Sequence, residues 1–146
     1  MLDIDYAVCF SEANCRLFTR LKKVFVLINL LAGSAAMTTL LSKNATIAAI
    51  AGIVVAMISM IDLVYDPGAA AAAHMRDKQA FLSLRSRYSR LSLEGGDSEL
   101  AKIKMSATHG LQSLARPAHN ENLRHHGRKE YLVELSRWEQ LVKLFA

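Results

Sequence analysis

The chain has 146 residues, of which 52% are hydrophobic, and 18 Lys and Arg against 13 Asp and Glu give a formal net charge of +5. A chain of this length has no large interior in which to bury long helices that are apolar on every side. The two cysteines, Cys9 and Cys15, are six residues apart and point to different faces of a helix, which excludes a disulfide framework or a thiolate metal site and fits a reducing compartment.

In chain order, the first predicted element covers residues 11–23, where Leu17, Leu21 and Val24 fall at helical spacing while Arg16, Arg20 and Lys23 lie off that line. This reads as an amphipathic helix running along or into a membrane surface. Two uncharged apolar stretches follow, residues 24–42 and 44–61, with only Lys43 between them. Nineteen helical residues rise about 28 Å, close to the thickness of a hydrocarbon core. A cleavable leader has one short apolar region, whereas here a second follows at once. The expected fold is therefore all-α, an integral membrane hairpin of two transmembrane helices joined to amphipathic cytoplasmic helices. Its expected divisions are residues 1–23, an amphipathic N-terminal segment, 24–66, the hairpin, and 67–146, a cytoplasmic helical region.

Within the hairpin, small residues recur every four positions at Ala48, Gly52 and Ala56, and at Ala32 and Ala36, flanked by Gly33 and Ser34. Such a stripe lets helices approach closely, either inside one hairpin or between copies. With Lys43 at the turn, residues equally far from it share a depth, so Asn29 is expected near Met57 and Ser59. Asn29 needs a polar partner in lipid, supplied by the hairpin or by a ring of amides from several copies. Asn29, Ser34, Thr38 and Ser59 are the candidate lining of an ion path. Asp62 and Asp66 stand level with Arg20, Lys22 and Lys23 in this scheme, as a salt-bridged collar or as acidic rings at a pore mouth.

Asp66-Pro67 predicts a helix start, with Asp66 capping and Pro67 in the first position. Phe81, Leu84, Tyr88 and Leu91 give that helix an apolar side, and Gly95-Gly96 is expected to end it. A second helix is expected from Asp97, with Leu100, Ile103, Ala107, Leu111 and Leu114 on one face, stopping before Pro117. A third is expected over residues 121–145, with Tyr131, Leu135, Trp138, Leu141, Val142 and Phe145 as its apolar side. No stretch alternates as a half-buried strand does.

Seventeen of the 18 Lys and Arg residues lie outside the hairpin turn: four precede the first span and thirteen follow the second. Positive residues are retained on the cytoplasmic side, so both termini are expected there, and the basic charge reflects topology rather than specific nucleic-acid binding. No phosphate loop, nucleophile elbow or His-Glu-x-x-His motif is present. Glu121 and His125 are one turn apart, but a single such pair supplies too few metal ligands. No catalytic, cofactor or metal residue is expected.

The layout as a whole, a basic amphipathic helix, a tight hairpin with small residues, an exit at Asp62-Leu63-Val64 and a long helix through Tyr88 and Leu91, resembles the SLATT domain. That bacterial family comprises two-transmembrane effectors associated with nucleotide-signalling systems. The resemblance implies a homo-oligomeric pore-forming effector that depolarises the inner membrane in antiphage defence. It places the permeabilising element at residues 24–61 and the regulatory or assembly portion at 67–145. Its trigger would be a nucleotide-signalling sensor or synthase acting in trans. The residues alone leave two other readings open: a membrane-anchored helical adaptor, and a soluble helical binding module with the hairpin as its core.

Overall fold

The computed structural model describes the backbone of residues 2–33 and 45–146, and their side chains except at 32, 33, 45 and 47–51. These residues are helical, joined by turns and short extended links, with no strand among them. Six α-helices are described: α1 (Leu2–Gly33), α2 (Ala45–Tyr65), α3 (Pro67–Arg87), α4 (Leu93–Ser106), α5 (Ala115–His125) and α6 (Arg137–Phe145). Short 3-10 turns occur at Tyr88–Arg90, Gln112–Leu114 and Lys129–Tyr131.

The chain divides into two compact units, Met1–Leu17 with Ala71–Ala146, and Phe18–Ala70. In the first unit the core is built from Ile4, Ala7 and Val8 of α1 and Phe81 and Leu84 of α3. Tyr88, Leu91, Leu100, Ile103 and Ala107 pack against it. The apolar faces expected beyond residue 67 are thus turned toward one another, and they close on the amino-terminal half of α1.

That half of α1 is an addition to the sequence-based reading. A separate surface helix over residues 11–23 was expected, but nothing between residues 2 and 32 is Gly or Pro, and one uninterrupted helix forms. Its buried positions, Ile4, Ala7, Val8, Ser11, Asn14 and Cys15, recur at spacings of three and four. Several buried residues of this half are polar, and two of them reach far along the chain. Asn14, fully buried, accepts the Leu111 N–H at 2.7 Å and donates to the Phe10 carbonyl at 2.9 Å. Asp5 lies between Arg85 Nε at 3.0 Å and His126 Nε2 at 3.1 Å.

The later helix boundaries also differ from expectation. Gly95 and Gly96 lie inside α4 rather than ending α3, because Ser92 Oγ caps α4 by accepting the Gly95 N–H at 3.2 Å. A Cβ on Gly96 would stand 2.7 Å from the Tyr88 ring, so this glycine serves close packing. Helix α4 ends at Ser106, well before Pro117, and the extended link after it is held by Asp77, which accepts the Thr108 N–H at 2.8 Å. Pro117 instead sits in the first turn of α5, where its missing N–H costs nothing.

The helix expected over 121–145 is broken in two. Gly127 adopts a φ of +72°, which stops α5. Asn120 then clamps the returning chain through both amide atoms, donating to the Val133 carbonyl at 2.7 Å and accepting its N–H at 2.9 Å. Ser136 and Glu139 start α6 with a reciprocal capping box.

Leu84→Ala is expected to cost about 2–5 kcal/mol, and Gly110→Ala, whose Cβ would lie 2.6 Å from Asn14 and from the Phe10 ring, about 1–3 kcal/mol, read by thermal unfolding in mild detergent. Burial pushes the His74 imidazole below its usual range, with Asp77 partly opposing. The unfolded chain therefore gains a proton that the folded one refuses, so stability falls as pH drops below about 6.5, and His74→Gln should flatten that fall in a pH series of unfolding curves.

Candidate functional site

The second unit, Phe18–Ala70, contains the carboxy-terminal half of α1 and all of α2. Its described side chains are mostly apolar and mostly uncovered. Val24, Val26, Leu27, Leu30 and Leu31 are exposed on α1, as are Ile53, Val54, Met57, Met60, Ile61, Leu63 and Val64 on α2. Among the described residues, one stretch beginning at Gly52 is long and apolar enough to cross a membrane, and only 6% of that apolar window is buried. A core helix of a water-soluble protein would be covered instead. The first expected span is described only as far as Gly33.

Polar groups collect at one place between these apolar helices. An open cleft of about 380 Å³ is lined by Lys22, Asn29, Ser59, Asp62, Leu63 and Asp66. Ser59 Oγ donates to Asn29 Oδ1 at 3.0 Å. One helical turn further along, Lys22 Nζ reaches both oxygens of Asp62, at 3.1 and 3.0 Å. The half-buried residues Lys22, Phe25 and Asn29 on α1, and Val55, Ile58 and Asp62 on α2, continue the same two lines. Phe25, Val55 and Ile58 thus lie half-buried beside the Asn29–Ser59 and Lys22–Asp62 pairs, while Val24, Leu27, Met57 and Ile61 face outward.

Asp66 closes the cleft at the end of α2. It accepts the Ala69 N–H at 3.1 Å through Oδ1, the cap for α3, and Pro67 takes the first helical position. Its φ of +33° is a conformation that Asp tolerates better than most residues, and it ends α2 while its own N–H still donates to the Asp62 carbonyl at 3.1 Å. A Cβ on Gly68 would crowd the capping Asp66 Oδ1 at 3.3 Å while making only an ordinary contact with Lys22 Cε at 3.8 Å.

The structure thus brings Asn29, Ser59, Asp62 and Asp66 to one cleft. Gly52 and Ala56 are not part of it. Both are exposed, and a Cβ on Gly52 would meet nothing within 4 Å among the described residues. The side chains of Ala32, Gly33 and Ala48, and the whole of Ser34, Ala36, Thr38 and Lys43, lie outside the described residues. Lys22 pairs with Asp62 across 40 residues, as the collar alternative has it, although equal steps from Lys43 do not single out that pair.

Elsewhere, Glu121 and His125 go to different partners. Glu121 lies 3.8 Å from Arg16, and His125 Nδ1 lies 3.9 Å from Cys9 Sγ. Burial, reinforced by Glu121, Glu12 and Asp5, pushes the Cys9 thiol up to about 11, so it is protonated and a poor nucleophile near neutral pH. No protein-family model, curated protein or solved structure matches this chain.

Asn29→Cys with Ser59→Cys, in a chain carrying Cys9→Ser and Cys15→Ser, is expected to oxidise to a product that migrates as a monomer on a non-reducing gel. A ladder of linked copies would show that these positions face each other between chains rather than within one.

Proposed function

We propose that the chain is a two-span membrane protein of the bacterial inner membrane, with both termini cytoplasmic, and that it acts as a homo-oligomeric pore-forming effector of antiphage defence. The observation that carries the membrane reading is the exposed apolar surface of Val24–Leu31 and Ile53–Val64, which water does not solvate favourably and lipid does. The resemblance to the SLATT domain supplies the effector reading. No enzymatic step and no cofactor belongs to it.

The polar cleft supports a path for ions. In a single copy, Asn29 and Ser59 satisfy each other and Lys22 neutralises Asp62, a closed arrangement. Assembly of several hairpins would exchange these partners for contacts with water and ions along an axis, with Asp62 and Asp66 favouring cations at the mouth. Exposed Gly52 and Ala56 support close contact between copies, because small residues let helices approach where lipid gives no hydrophobic drive. The first unit would hold the resting state or the assembled one according to a partner's signal, as a sensor or synthase acting in trans would require.

A second reading, the membrane-anchored helical adaptor, is favoured by the same two pairs. Polar groups satisfied within one hairpin give a stable anchor that needs no second copy.

Expression in growing bacteria separates the two. A pore should depolarise cells and slow growth, with Asn29→Leu or Gly52→Leu relieving both effects, measured with a potential-sensitive dye. An anchor should remain in the alkaline-carbonate pellet and leave potential and growth unchanged. Recovery in the supernatant would remove both readings in favour of a soluble module.

A further inference from the structure

Helix α6 is packed inside out. Its nine residues put Trp138, Leu141, Leu144 and Phe145 on one side, at 62%, 49%, 78% and 50% exposure, while the narrow side that meets the protein holds Val142 at 5%. The only carboxylate of α6, Glu139, is turned inward, bonded to the Ser136 N–H at 2.8 Å and lying 3.7 Å from Arg116. Arg137 is exposed and falls on the same line as Leu141 and Leu144, four and seven residues on. Arg116, whose side chain is 60% exposed, lines an open cavity of about 360 Å³ together with Trp138. The outward side of this helix is therefore two large aromatics and two leucines bordered by guanidinium groups, with its carboxylate withdrawn.

We propose that this face of α6 docks on the interfacial region of an anionic bilayer. Tryptophan and phenylalanine seat at the boundary between headgroups and acyl chains, leucines reach past it, and arginines bind phosphate and carboxylate headgroups while their stems stay in the apolar layer. The arrangement disfavours a second copy as occupant, because a two-fold contact through this face would set Arg137 and Arg116 of one chain near those of the other. A helix rising about 13 Å also falls short of the roughly 800 Å² per partner that a stable protein interface needs. A bilayer sets no such minimum, since each apolar side chain partitions by itself. Docking is independent of the pore and of the spans.

Trp138 is the sole tryptophan of the chain, so its fluorescence reports this face alone. The test uses the full chain with vesicles of neutral phosphatidylcholine, and of the same lipid with phosphatidylglycerol added. Docking predicts blue-shifted emission in the anionic vesicles, quenching by lipids brominated near the headgroup, and protection from aqueous iodide. Arg137→Gln should weaken docking roughly fivefold, as expected for one cation at an anionic surface, and Leu141→Glu should abolish the blue shift. Emission that stays water-like and iodide-accessible while the chain resists carbonate extraction overturns the docking and leaves the spans standing. A chain released by carbonate whose Trp138 is still shielded by anionic vesicles keeps the docking and removes the spans. Shielding that persists in detergent without lipid, with disulfide-linked dimers from Trp138→Cys in a chain carrying Cys9→Ser and Cys15→Ser, assigns the face to a second copy and overturns the proposal.

Discussion

The organising constraint is that one helix serves two environments. Over its first half, α1 packs against protein through Ile4, Ala7 and Val8, and over its second half it presents Val24, Leu27 and Leu30 to whatever surrounds the molecule. The exposed apolar area there and on α2 is far more than the scattered apolar residues of an ordinary protein surface. In the membrane reading proposed above, lipid as the surrounding medium would make that distribution favourable and would require the polar groups near it to pair inward. An amide or carboxylate in hydrocarbon without a partner costs several kcal/mol, and the pairing of Asn29 with Ser59 and of Asp62 with Lys22 meets that requirement.

Polar bonds also shape the first unit, for a different reason. Beyond the apolar core of α1 and α3, the links and the short helices α5 and α6 are held by hydrogen bonds, several spanning long sequence separations. Asn14 holds the link after α4, Asn122 donates to the Leu2 carbonyl at 3.1 Å, and Asn120 directs the chain from α5 into α6. Buried amides of this kind favour one arrangement over its neighbours, because a shifted register leaves donors and acceptors unmatched. Apolar burial draws the helices together, and the asparagines decide how.

Much of this was legible from residue spacing, and the remainder depended on partners far away in the chain. Phe81, Leu84, Tyr88 and Leu91, with Leu100, Ile103 and Ala107, were readable as inward faces because bulky apolar residues at spacings of three and four leave few other solutions. The juxtaposition of Asn29 with Ser59 was reachable by simple counting from Lys43. The inward side of residues 4–15 was concealed by Asp5, Ser11 and Asn14, whose burial depends on Arg85, His126 and Leu111, each at least 80 residues on. Likewise the stretch 121–145 carried a helical pattern that Gly127 and the Asn120 clamp interrupt. Its expected apolar stripe put Val142 with Trp138, Leu141 and Phe145 and ran back to Tyr131 and Leu135, whereas Tyr131 and Leu135 precede α6 and Val142 alone of the four α6 members is buried, a direction that periodicity does not hold.

The uninterrupted course of α1 has a mechanical consequence. A helix without Gly or Pro over its interior transmits torsion like a stiff shaft, since every turn is bonded to the next. Within the second unit this stiffness fixes Lys22 and Asn29, two turns apart, on one side of α1, so the ion pair with Asp62 and the bond with Ser59 are geared together. Any twist of that half of α1 about its own axis breaks both at once, and neither can be spared while the other is kept.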